Sequence, residues 1–267
     1  MPAPSGQPAP FEPAPQAAPG PIALVGSGEY LDVMIDVDRG LLAGRPQRAV
    51  FLPTASAEEG EERVGYWLEL GHRHFERLGV DPVPLPVLTQ DDAARDDFAA
   101  LVAGAGLVYL SGGNPGYLAN VLRDSLVWTA ILAAWRAGAA LAGCSAGACA
   151  LSYVAEDMRA MRDIGTTRLV APTGLATVPE IAVIPHFDRM ARWAPDLTER
   201  YASRVPDGVT VVGVDEDTAI VTDGGAGERR FVVAGRRSAW VLHPGGDRTE
   251  YPSGTTRSLP AGDANLA

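Results

Sequence analysis

Residues 139–150, AALAGCSAGACA, decide how this chain is read. The stretch opens as the apolar run of a buried strand, passes through Gly143-Cys144-Ser145-Ala146-Gly147, and continues in small, helix-compatible residues. Strand, sharp turn and helix, with a serine at the apex, make a G-x-S-x-G elbow, in which glycines flank the serine because the strained turn leaves no room for a Cβ on either side. Such a turn lifts a hydroxyl above the sheet. The N–H of the next residue, Ala146, then points into the same space from a helix N-terminus. An Ala/Gly-rich chain also produces this pattern as a plain strand-to-helix turn, so the flanking sequence has to decide between the two.

Upstream, short apolar strands at 22–25, 48–52, 83–87 and 107–110 alternate with helical patterns at 31–42, 58–78, 91–103, from Leu118, and at 125–137. In the first of these helices Met34, Val37 and Leu41 share one face. The prolines in 83–87 assign that strand to a sheet edge. The alternation predicts an α/β fold with a doubly wound, mostly parallel sheet flanked by helices, finished by extra C-terminal strands at 209–214, 219–221, 231–233 and 239–242. Ligands of such sheets bind outside the carboxyl ends of the strands, so the loops at Gly26, Pro53, Gly112 and Ser145 are expected to share one crevice. In it, the Gly112-Gly113 pair can bring backbone N–H groups beside that of Ala146 as an oxyanion hole. The loop Gly26-Ser27-Gly28-Glu29 lacks the third glycine and the later ribose-binding acid of a dinucleotide site.

Downstream of the elbow, an apolar strand at 181–184 runs into Pro185-His186-Phe187-Asp188-Arg189. A histidine there, beyond a candidate nucleophile, is placed to act as general base. His72 and His74 read as solvent-facing residues on the charged face of a helix, and His243 falls in a late strand region. Asp223-Gly224-Gly225 marks a turn between two of the C-terminal strands. The expected organisation is a disordered Pro/Ala-rich leader at 1–20, a single α/β domain at 21–251 and a flexible tail at 252–267.

Composition narrows the chemistry. With 22 basic and 33 acidic residues the formal charge is −11, a field that repels nucleic acid and anionic membrane surfaces. Every basic residue counted is Arg, since the sequence has no Lys. That excludes a Ser-Lys dyad, a Schiff-base lysine and a P-loop lysine. The 2 cysteines, Cys144 and Cys149, are poorly disposed for a disulfide and too few for a zinc site, so neither cofactor nor metal is expected. Without a membrane-length apolar run or a signal-peptide pattern, the expected location is the cytoplasm.

GSGE near the start, LSGGN before the elbow, GCSAGA at it, PHF after it and GVDEDTA later together resemble the serine peptidase family of aspartyl dipeptidase (peptidase E) and cyanophycinase, built on the class I glutamine amidotransferase-like fold. The resemblance runs over about 21–241, in order. It implies Ser145 as nucleophile, His186 as general base, and an oxyanion hole from Gly113 or Asn114 together with Ala146. It also implies an acid between serine and histidine, for which Asp163, Glu156 and Asp157 qualify by position; Asp163 is preferred for its distance from Ser145. The longer Arg-rich motif that follows the histidine in cyanophycinases is missing.

The chemistry so implied is acyl transfer on a small peptide next to an acidic, aspartyl residue. An Arg must then offset the protein's negative field, and Arg189 and Arg192 are the candidates. Glu29 is the candidate for a substrate amine. A glutamine amidotransferase-like enzyme, a cyanophycinase-like enzyme and a non-catalytic relative that binds a small ligand or partner protein are the rival readings. The register argues against the amidotransferase, because Cys144 stands at the x position and not at the apex. A homodimer is left open.

Overall fold

The computed structural model describes residues 18–156, 167–222, 230–243 and 246–258. Parallel strands β1 (Ile22–Val25), β2 (Arg48–Leu52), β3 (Asp81–Pro84), β4 (Leu107–Leu110) and β5 (Ala140–Cys144) form one side of the larger sheet. Antiparallel β8 (Thr218–Thr222), β9 (Arg230–Gly235) and β12 (Thr256–Ser258) extend it, giving the order β12-β9-β8-β1-β5-β4-β2-β3. The proline-bearing β3 lies at the edge, where its missing N–H donors cost no ladder bonds.

Both faces of this sheet are covered, which is why its strands read as apolar runs and not as alternations. Ile22 and Leu24 of β1 enter one core cluster, whereas Ala23 and Val25 enter the other. On the second face, α1 (Ile35–Leu42) and α2 (Glu61–Arg77) supply Val37, Leu41 and Phe75, and Met34 is buried with them. The first face is covered by α3 (Gln90–Ala93), α4 (Asp96–Leu101), α5 (Pro115–Leu122), α6 (Leu126–Arg136) and α7 (Ala146–Leu151), with Ala93, Leu118, Ile131 and Ala148 in its core.

The predicted C-terminal strands do not all complete one sheet. β6 (Ile181–Ile184), β7 (Thr210–Val214), β10 (Ser238–Leu242) and β11 (Arg248–Pro252) form a second sheet, in the order β11-β10-β7-β6. A separate core beneath it gathers Ile184, Phe187, Tyr201 and Val211, under α8 (Phe187–Trp193) and α9 (Pro195–Arg204). The connection from β7 to β8 therefore passes from one sheet to the other within Asp215-Glu216-Asp217. The tail departs from expectation too, since Thr256, Arg257 and Ser258 pair with β9. The Asp223-Gly224-Gly225 turn lies outside the described residues. Among the described residues, no helix is long and apolar enough to cross a membrane.

His74 is the other correction. It is 0% exposed, and its Nε2 stands 2.8 Å from Oδ2 of Asp38, itself 1% exposed, beneath the rings of Tyr30 and Phe75. Burial raises the Asp38 carboxyl above its ordinary range against the lowering effect of His74. Removing one partner of such a pair is costly because the other is left buried and unmatched. His74→Leu is expected to lose about 3–5 kcal/mol in denaturant unfolding. With Asp38 then raised further above its unfolded value, the stabilising share of its protonated form is present below about pH 4 and lost as pH rises. The deficit relative to wild type should therefore be smaller at about pH 4 than at about pH 7.

Candidate active site

In register, Val25 of β1 and Leu110 of β4 flank Cys144 and Gly143 of β5, so three strands end at one level and their loops meet. Ser145 leaves β5 with φ 51 and ψ −107, outside the ordinary regions for a residue with a side chain. Two close approaches hold it there. A Cβ at Gly143 would lie 2.4 Å from the Gly147 carbonyl, and one at Gly147 would lie 2.2 Å from the Leu110 carbonyl oxygen. The helix can start immediately beneath the strand only without those atoms.

His186 ends β6 of the second sheet in a left-handed conformation, φ 50 and ψ 36, and its carbonyl accepts the first turn of α8. The next residue, Phe187, is buried against Gly213, where a Cβ would come within 2.3 Å of its ring. That packing fixes the backbone beside His186. Its Nε2 lies 3.0 Å from Ser145 Oγ, and its Nδ1 lies 2.9 Å from Oε1 of Glu216. A carboxylate only accepts, so Nδ1 carries the hydrogen and the lone pair of Nε2 faces the serine hydroxyl, which donates to it.

Glu216 comes from the turn between the sheets, and the segment after His186 grips it. Arg189 Nη2 lies 2.7 Å from its Oε2, and its N–H donates to Asp188 Oδ1 at 3.0 Å. Arg237 in turn donates to Asp188 Oδ2 at 2.6 Å. Asp215 anchors the same turn by accepting from Trp240 Nε1 and the Ser238 N–H, its carboxyl raised by burial.

Among the described residues the acid beside the histidine is Glu216, and not the expected Glu156. Glu156 forms a bidentate pair with Arg204, whose guanidinium engages both its oxygens. Asp157 and Asp163 lie outside the described residues. A signal for Glu216 was present: an acid just past the end of the strand that follows the histidine's own strand, facing the same crevice.

Of the expected oxyanion donors, Gly113 and Ala146 have N–H groups that make no hydrogen bond to a described residue. Asn114 does not qualify, because its N–H donates to the Ala55 carbonyl at 2.6 Å and its side chain bonds Glu58 and the Tyr117 N–H. Gly113 takes φ +142 against the Ala55–Ser56 backbone, where a Cβ would meet Ala55 O at 2.2 Å. Arg189 is engaged by Glu216, and Arg192 is exposed on α8 and does not line the cleft. Glu29 does line it, but its carboxylate accepts from the Gly112 N–H at 3.0 Å and the Cys144 thiol at 2.7 Å, tying the ends of three strands together. Ser145, His186, Glu29 and Gly113 share a cavity of about 320 Å³.

Comparison with known proteins identifies the family. The model of peptidase family S51 matches residues 22–229. The chain belongs to peptidase family S51. With it the chain stands among the serine hydrolases, on the peptidase E type of fold. The crystal structure of a peptidase from an acI-B1 Actinobacterium superposes with a TM-score of 0.77 at 31% identity, over 90% of this chain and 97% of the other. A Listeria monocytogenes protein given as a candidate peptidase E shares the fold, with a TM-score of 0.55 at 18% identity over 88% of this chain and 99% of that one. An uncharacterised peptidase of Listeria innocua is 27% identical over 140 residues, 52% of this chain and 64% of the relative's length.

Cys144, beside the apex serine, is buried under it. Burial and the neighbouring Glu29 charge push its thiol well above the ordinary range, so at neutral pH it stays protonated and unreactive. Iodoacetamide at neutral pH is expected to leave Cys144 unmodified in the native protein and to alkylate it after denaturation, as read by peptide mass spectrometry.

Proposed function

We propose that this S51 member is a serine-type peptidase or amidohydrolase that cleaves a small peptide beside an acidic residue, through an acyl-enzyme on Ser145. One observation carries the reading: the continuous chain from Ser145 Oγ through the two ring nitrogens of His186 to Glu216, at 3.0 and 2.9 Å. In this mechanism His186 takes the serine proton as Oγ attacks the scissile carbonyl. The carbonyl oxygen, now negative, is met by the N–H groups of Gly113 and Ala146. His186 then hands its proton to the departing amine, and water releases the acyl group by the same path in reverse.

Glu216 holds the imidazole in the working tautomer and stabilises the imidazolium that forms; it need not accept a proton itself. Arg189 and Asp188 act one step further out, on the side chain and the backbone of Glu216 respectively. The acidic preference rests on the family resemblance. What supports it in the cleft is a matter of which cation is there to receive a carboxylate.

The test is a panel of α-aspartyl dipeptides, β-aspartyl-arginine and glutamine, assayed with wild type, Ser145→Ala, Cys144→Ala and Glu216→Gln. Cleavage of α-aspartyl peptides is expected to survive in Cys144→Ala and to fall by roughly 10⁴-fold or more in Ser145→Ala. Glu216→Gln, which keeps the shape but permits the wrong tautomer, is expected to lower kcat on the order of 10⁴-fold. Turnover undiminished in Ser145→Ala would sink the mechanism. Arg189→Ala is expected to lower kcat with little change in KM, and Arg189→Lys to recover part of the loss.

A further inference from the structure

Beyond the serine and histidine, one wall of the cleft is built by α2 and the loop after β1. Leu31 and Tyr66 are 46% and 47% exposed, unusual for large apolar side chains, and both face this cavity together with Trp67 and Leu70. Apolar surface left open beside a candidate nucleophile is surface that a substrate can cover.

Among the described residues lining the cleft, Arg63 is the one guanidinium. Its position is prepared. Its central carbon stands 4.8 Å from the ring centroid of Trp67 and 5.1 Å from that of Tyr66, and its Nε is 3.3 Å from Oε2 of Glu59. Stacking and the Glu59 contact use the face and one edge of the guanidinium. Its two terminal nitrogens form no hydrogen bond to a described residue. A planar donor fork, pre-positioned on an aromatic platform with its end unoccupied, matches a carboxylate held in two parallel hydrogen bonds. The Leu31, Tyr66 and Leu70 side chains line the same cleft beside it.

We propose that Arg63 is the residue that receives a substrate carboxylate in this cleft and so determines specificity, in place of Arg189 and Arg192. The inference rests on the acyl-transfer reading above and names its recognition group. The carboxylate can be the acidic side chain beside the scissile bond or the free C-terminus of a dipeptide. Either has the same chemistry at Arg63. The apolar wall then packs against the carbon atoms that bear it.

The experiment measures binding first, so that it does not depend on turnover. Calorimetric affinities of Asp-Leu, Asn-Leu, Asp-Leu amide and Asn-Leu amide are compared on Ser145→Ala and on Ser145→Ala carrying Arg63→Met or Arg63→Lys. Arg63 lies on an exposed turn of α2, and circular dichroism checks that the variants fold alike. Arg63→Met is expected to weaken the peptide bearing the recognised carboxylate about 10- to 100-fold, and Arg63→Lys less. The fully neutral Asn-Leu amide should be unaffected. A loss confined to the two Asp peptides assigns the side chain; a loss confined to the two peptides with a free C-terminus assigns that end. Equal affinities in the presence and absence of Arg63, or no binding of any peptide, overturn the inference. Arg63-dependent binding without any hydrolysis by the wild-type enzyme would uphold it while removing the peptidase mechanism. Ser145-dependent hydrolysis indifferent to Arg63 would do the opposite.

Discussion

The arrangement of this molecule depends on holding His186 between two oxygens, one at a strand end of the larger sheet and one on the connection between the sheets. Ser145 stands at the end of a parallel strand in the larger sheet, and His186 at the end of a strand in the smaller one. Glu216 lies on the short connection that passes between them. A displacement of a few tenths of an ångström in the docking of the sheets changes both hydrogen bonds of the imidazole at once. The supporting contacts are what that geometry requires: Phe187 seated on Gly213, Asp188 on the Glu216 backbone, Arg189 on its carboxylate, Asp215 on Trp240. Each constrains the same turn from another direction.

Among the six described non-glycine residues with positive φ are the two that meet in the cleft, Ser145 and His186. Such conformations cost of order 1–3 kcal/mol each and persist only where the surroundings over-determine them. Here the surroundings do so by close approach. Strand, helix and neighbouring strand come together at Gly143 and Gly147 with no space for a further atom. The serine is thereby delivered to the cleft while its neighbour Cys144 is turned into the protein, where its thiol donates to Glu29.

What the sequence made legible was local. The elbow, the parallel strands, the edge position of the proline-bearing strand and the meeting of Ser145 with His186 all follow from short patterns and from the rule that loops at strand ends share a crevice. What it hid was set by pairing at a distance. Glu216 could not be preferred over acids nearer in sequence until β7 was known to lie beside β6. His74 appeared to belong to a charged helix face because the residue that explains its burial, Asp38, is on another helix. Arg204 and Glu156 likewise recognise each other over a separation of 48 residues. In each case the deciding partner is a charge, and charge pairing leaves no periodicity in a sequence.

The division of the site between sheets has a consequence for the life of the chain. Peptide hydrolysis is hazardous inside a cell if it begins before the enzyme has its final shape. Synthesis runs from the N-terminus, so the serine at 145 emerges first, the histidine at 186 next and the glutamate at 216 last, followed by strands both sheets still need. A nascent or half-unfolded chain therefore carries Ser145 without the His186 partner, and an unpartnered serine hydroxyl is no more nucleophilic than any other. On the proposed acyl-transfer reading, assembly of the two sheets is itself the act that arms the molecule.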